Sequence, residues 1–190
     1  MRTLVHEFDW PDRVVVGTVG RPGERTFYLQ ARAGARSTSV ALEKEQSAVL
    51  ADTIDQLLDK LAEDQDNGLT IPTETPAELV DDEPLDHPVE EQFRTGAMRL
   101  GWDPRTAQVI IEAYPVAEGW DETDDDSRDD TDDGDTDDEP AEMLLVRIPV
   151  GTARAFAQRT RRVVRAGRPT CPLCGSPVDG DDHVCRLTDG

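Results

Sequence analysis

The strongest constraint on this chain is an internal repeat in the order of its elements. Arg13–Gly20 is a β-branched run that stops at Arg21-Pro22-Gly23-Glu24. Pro second and Gly third are what a type II turn asks for, because the third residue must take positive φ. Arg25–Ala33 reads as the returning strand and Thr38–Leu42 as a third strand. From Glu43 to Glu63, Val49, Leu50, Thr53, Ile54, Leu57, Leu58 and Leu61 recur at three- and four-residue intervals, the period of a helix with one apolar face. The second half follows the same order. Phe93–Leu100 is a strand, Gly101-Trp102-Asp103-Pro104 a turn, Ala107–Val116 the return, Met143–Ile148 the third strand and Val150–Ala166 the helix. Phe27-Tyr28-Leu29-Gln30-Ala31 and Val109-Ile110-Ile111-Glu112-Ala113 share a pattern, as do Val40-Ala41-Leu42 and Val146-Arg147-Ile148 ahead of each helix.

The expected fold class is α+β, with two antiparallel βββα repeat units and a small C-terminal zinc knuckle. The first unit covers 1–66 and the second 93–168, packed together or as one pseudo-symmetric domain, and the knuckle occupies 169–190. Coincidence between two ordinary meander-plus-helix patterns is the competing reading. Interior faces should use Val14, Val16, Phe27, Leu29, Leu50, Ile54, Leu57, Leu58, Val109, Ile111, Leu145, Phe156 and Val163. Residues 67–92 read as a linker crossing the surface, rich in Pro, Asp, Glu and Thr, and the lone His87 on it is expected to be inert.

Net charge is −21, and residues 118–139 alone contain 14 acidic residues and one arginine, a local −13 that leaves −8 elsewhere. The segment 118–140 reads as a disordered hairpin insertion, because dense like charge with few apolar groups cannot offset the entropy of ordering. A uniformly acidic, salt-adapted surface explains the total less well. Asp132-Asp133-Gly134-Asp135 lacks the spaced ligands and terminal glutamate of an EF-hand loop.

The most specific chemistry lies at the C-terminal end. Cys171-Pro-Leu-Cys174-Gly175 is followed by His183-Val184-Cys185, and these hold all three cysteines of the chain. The pattern C-x2-C-x8-H-x-C offers four N and S ligands to one tetrahedral zinc. Two spacer residues put Cys171 and Cys174 on one tight turn, and Gly175 follows where a knuckle needs positive φ. The single spacer between His183 and Cys185 departs from the second half of a zinc ribbon. Four protein ligands leave no open position for water, so the zinc is expected to be structural rather than catalytic. A redox Cys-x-x-Cys is the alternative, but that motif belongs beside a βαβ pattern. Asp181 or Asp182 is a candidate second partner for the imidazole of His183.

The second helix carries another pattern. Arg154, Arg161, Arg165 and Arg168 fall within about 40° of a common direction, opposite Phe156, Val163 and Val164. This stripe reads either as a solvated face or as a contact for phosphate, RNA or an acidic partner. The acidic insertion of the same unit is a further candidate to cover it. Gly17-Thr18-Val19-Gly20 lacks the Lys and the following helix of a phosphate loop. In an extended strand His6 and Phe8 share one face and Glu7 and Asp9 the other, so no compact acid–base triad forms there, and a partly buried edge segment is expected. No serine stands in a nucleophile-elbow context.

No stretch approaches the roughly 20 apolar residues that span a bilayer. The first residues lack the apolar core of a secretory signal. With thiols best explained as metal ligands, a reducing cytoplasm is the expected location. The chain has 18 arginines and two lysines, a bias expected of a GC-rich genome.

Arg13-Val-Val-Val-Gly-Thr-Val-Gly-Arg-Pro-Gly-Glu-Arg-Thr-Phe-Tyr-Leu-Gln-Ala31, together with the Cys-Pro-Leu-Cys-Gly…His-Val-Cys end, resembles an uncharacterised actinobacterial family known only as a domain of unknown function. The resemblance covers all but the acidic insertion. It implies membership of a trio that includes histidine-phosphatase-like and phosphoinositide-kinase-like proteins, and so a shared complex or pathway. No catalytic residue comes with it. Arg186 and Asp189 stand where the family has proline and asparagine, which alters the outer contacts of the end but not its four ligands. The function expected first is a binding or adaptor protein with structural zinc. The alternatives are a nucleic-acid-binding protein using the arginine stripe and knuckle, and an enzyme acting on a phosphorylated small molecule.

Overall fold

The computed structural model describes residues 3–21, 23–64, 68, 70–117 and 141–166. Its elements are β1 (Leu4–Asp9), β2 (Arg13–Val19), β3 (Thr26–Ala33), β4 (Arg36–Leu42), α1 (Lys44–Glu63), a 3-10 turn (Ala77–Leu79), β5 (Glu91–Asp103), β6 (Gln108–Pro115), β7 (Glu142–Pro149) and α2 (Val150–Arg165). The architecture is mixed α+β. Among the described residues, the strands form one seven-stranded sheet in the order β1-β7-β6-β5-β4-β3-β2, with two α-helices.

Local chemistry explains the boundaries. Gly23 sits at φ +92° and Glu24 N–H donates to Arg21 O at 2.9 Å, the closure expected of the β2–β3 turn. α1 begins where Glu43 N–H donates to the Gln46 side-chain oxygen at 2.8 Å, a group that the helix itself leaves without a partner. α2 follows β7 with no loop, because Pro149 ends the strand and needs no amide partner.

β2–β3–β4 and β5–β6–β7 are antiparallel meanders, while β4 meets β5, and β1 meets β7, in parallel. The outermost strands β1 and β2 are joined by Trp10-Pro11-Asp12 alone. A flat sheet would hold them about 29 Å apart at ordinary strand spacing, yet that connection reaches only about 15 Å. The sheet therefore curls until its two sides meet at this corner. Contacts there fit the closure. Asp12 N–H donates to Arg32 O at 2.9 Å, Arg36 donates to Glu7 O, and the Arg36 guanidinium lies 4.3 Å from the Phe8 ring centre. Inside the curl, Phe8, Val16, Leu29, Ile54, Leu58, Val109, Ile111, Ile148 and Phe156 are fully buried in one cluster. α2 packs on β2, β6 and β7, and α1 packs on α2.

Three details differ from the sequence expectation. The β5–β6 turn falls after Asp103, with Ala107 at φ +53°, because Gly101 and Trp102 continue the pairing with Ile110 and Val109. On β7 the interior face carries Leu144, Val146 and Ile148, which leaves Leu145 half-buried on the other side. The expected Leu57 and Val163 are partly buried and pack against the core rather than within it. Phe8 belongs to the core because β1 is a true strand against β7.

Candidate functional site: a groove beside an open strand edge

β5 is thirteen residues long, while β4 pairs with it only at Glu91 and Arg94 before the chain turns into α1. From Ala97 to Asp103, β5 pairs with β6 on one side and, among the described residues, with no strand on the other. In an antiparallel ladder, alternate residues aim both N–H and C=O away from the partner strand. Beside residues 96–100 on that side lies a groove of about 400 Å³ walled by α1. Its apolar lining is Val49 and Leu50 from the helix and Met98 and Leu100 from the strand, with Glu45, Gln46, Thr53, Gly96 and Arg99 around them. Val49 is 63% exposed, the most open large apolar side chain among the described residues.

The head of the groove is built by a bulge. The β5–β6 register shifts between Thr95 and Ala97, and the Gln46 amide donates to Thr95 O at 3.1 Å and to Gly96 O at 3.2 Å. A Cβ on Gly96 would come within 2.8 Å of Val116 Cα, so this backbone approach requires glycine. Thr95 Oγ1 is buried without a hydrogen-bond partner. Glu45 is exposed and has no ion-pair partner among the described residues, whereas Arg99 lies 5.4 Å from the Tyr114 ring centre. Burial, joined by a hydrogen bond to Glu112, raises the Tyr114 hydroxyl above its ordinary pKa.

A second cleft, of about 510 Å³, runs between β2, α2 and residues 78–83. Its two cations are fully engaged. Arg13 donates from Nε to Asp81 at 2.6 Å and from NH1 to Asp86 at 3.2 Å. Arg159 donates to Val16 O at 3.2 Å, to Asp81 at 2.8 Å and to Glu83 O at 2.6 Å. The Arg13 hydrogen bonds hold the Asp81 carboxyl below the usual aspartate range, while burial holds the Arg159 guanidinium below its own. Asp86 Oδ2 is buried with Arg32 NH1 at 3.4 Å, a Coulombic contact outside hydrogen-bonding geometry. This cluster clamps residues 81–86 beside β2, and Leu85 then fills the space above Gly17.

Of the residues singled out from sequence, Arg154 and Arg161 meet at Asp55. Arg154 is buried, donating to Asp55 at 2.6 Å, Asp59 at 2.8 Å and Pro72 O at 2.9 Å. Arg161 turns to Asp52 at 2.9 Å and to Asp55, while Arg165 is exposed. Arg168, Cys171, Cys174, His183 and Cys185, and the segment 118–140, lie outside the described residues. Among the described residues no group of three His, Cys, Asp or Glu side chains is arranged to hold a metal. His6 pairs with Glu142 at 3.0 Å on the edge strand. The helix packing was hidden from sequence because α1 carries its own aspartates, 52, 55 and 59, on the side toward α2. Those aspartates at three- and four-residue spacing were the available signal.

A family model described as a protein of unknown function, DUF3090, matches residues 6–185. The chain belongs to the DUF3090 family. No curated protein and no solved structure matches it. The DUF3090 match runs from β1 to Cys185, so it takes in the groove, the clamped segment and all four expected zinc ligands. No described helix is long and apolar enough to cross a membrane.

Proposed function

We propose that this DUF3090 protein is a binding or adaptor protein, with a structural zinc at its C-terminal end. The observation that carries the reading is the groove between α1 and β5, a concave apolar surface beside a strand edge that pairs with no other strand among the described residues, in a chain of charge −21. The arginines of the other cleft are occupied by Asp81, Asp86 and main-chain carbonyls, which weighs against a phosphate-binding role for them. Nucleic-acid binding through the second helix would rest, within the described stripe, on Arg165 alone.

The donor set fits zinc. Three thiolates and one imidazole within fifteen residues satisfy a tetrahedral ion and leave it closed to substrate. Bound there, the ion would supply folding free energy to a segment too short for its own core. A reducing compartment such as the cytoplasm keeps those thiols available as ligands. The order β2-β3-β4-α1 then β5-β6-β7-α2 supports two βββα units. The trio implied by the family resemblance, histidine-phosphatase-like and kinase-like proteins, names the first partners to test.

Two experiments test the reading. Metal analysis of the purified chain should find one zinc per chain and its loss in Cys174→Ser; no metal in the wild type refutes the site. Gentle co-purification from the native host should recover a stoichiometric partner with the wild type and lose it with Val49→Asp. A chain recovered alone contradicts the adaptor role.

A further inference from the structure

We propose that the outer edge of Ala97–Asp103 accepts an extended segment of a partner protein as an added strand, with a basic residue of that segment beside Glu45. This rests on the protein-binding reading above and names the chemistry of what that surface holds.

The argument begins with backbone accounting. An unpaired strand edge is a template for another strand, and folded proteins normally blunt it with a bulge, a charge or a covering element. In β5 the bulge at Thr95–Ala97 and the Gln46 amide deal with the first carbonyls only. Beyond them Met98, Leu100 and Trp102 turn their side chains toward the core, where they are partly buried. A strand laid alongside would place alternate side chains on that same face, against Val49 and Leu50. A helix in the groove would leave the β5 amides unpaired, so an extended ligand fits better.

Net charge weighs between occupants. Glu45 is exposed on the helix wall of the groove with no ion-pair partner among the described residues, while Arg99 lines the strand side with its guanidinium 5.4 Å from the Tyr114 ring centre. A second copy would set −21 against −21, and the chain's own segment 118–139 would bring −13 toward Glu45. Both are opposed by like charge. A foreign segment with alternating apolar side chains and a flanking Lys or Arg is favoured on both counts.

The test is selection of displayed random peptides of about twelve residues on the full-length protein. Enriched sequences should alternate apolar residues at every second position and carry Lys or Arg at one end. N-methylation of every second amide in a selected peptide should abolish binding in one phase and leave it intact in the other. Val49→Asp should weaken binding by about tenfold or more, and Glu45→Lys by about threefold for the basic peptides. Both positions are exposed, so folding is preserved. Enrichment of helical or acidic patterns, or of nothing, overturns the proposal. If nothing is enriched while a native partner still co-purifies in a Val49-dependent way, the strand-addition chemistry fails and the adaptor reading stands. A photo-reactive group in place of Val49 that cross-links to the selected peptide supports the assignment. Cross-links to a second copy, or to residues of the same chain beyond 117 or 166, assign the groove to those occupants and overturn it.

Discussion

Among the described residues, β2 and the far half of β5 each lack a neighbouring strand on one side, and the two edges are treated in opposite ways. Along β2, Arg159 caps the Val16 carbonyl and, with Arg13, grips Asp81 and Glu83 O, so residues 81–83 are held at the edge. Leu85 seals the adjoining face at 4% exposure. Along β5, Gln46 reaches two carbonyls and the rest is left beside a groove whose wall is a valine 63% exposed. One edge is closed at the cost of desolvating two guanidinium groups. The other is left open although a neighbouring helix stands ready to carry covering side chains.

The comparison breaks first at Arg159. Arg159→Ala leaves Val16 O without its side-chain donor and Asp81 and Glu83 O with Arg13 alone, and is expected to cost about 3 kcal/mol in urea unfolding. It should also promote association through β2. If the variant keeps wild-type stability and stays monodisperse, the β2 edge is not held by this clamp.

Asp81→Asn comes next, at about 2 kcal/mol near neutral pH. The Asp81 pKa is depressed below its ordinary value of 3.8, so its stabilisation is complete above that value and is lost as pH falls through the lower folded-state value. Wild type and variant should therefore converge in acid. A constant gap across pH would place the effect outside the carboxylate.

Gly17→Ala sets a Cβ 2.5 Å from Leu85 Cγ and should cost about 1–2 kcal/mol while leaving peptide binding at β5 unchanged. Val49→Asp is the smallest in stability, within about 0.5 kcal/mol, and the largest in binding. Loss of stability with intact binding would reverse the roles assigned to the two edges.

Much of this contrast was hidden in the sequence for one physical reason: pairing between distant strands has no local signature. The β2–β3 turn was legible because Pro22-Gly23 specifies its geometry within four residues, and Gly23 is at φ +92°. The helices were legible from Leu50, Ile54 and Leu58, all within the core. The open edge exists because β4 is seven residues and β5 thirteen, and reading β5 as ending at Leu100 concealed the excess. Residues 67–92 look like a surface crossing by composition, yet Ile71 and Leu85 are buried, since two well-placed apolar residues suffice to seat a segment against a formed sheet. Arg154 reads as a solvated face until α1 supplies Asp55 and Asp59. The expected zinc ligands, Cys171, Cys174, His183 and Cys185, rest on spacing alone and lie outside the described residues.

The most direct measurement is amide hydrogen exchange across Ala97–Asp103 and Arg13–Val19, in the free protein and with a selected peptide at saturation. Alternate amides of Ala97–Asp103 should exchange fast in the free protein and slow sharply on binding, while Arg13–Val19 stays protected throughout. Protection of Ala97–Asp103 in the free protein, or no change on binding, contradicts an open edge waiting for a strand.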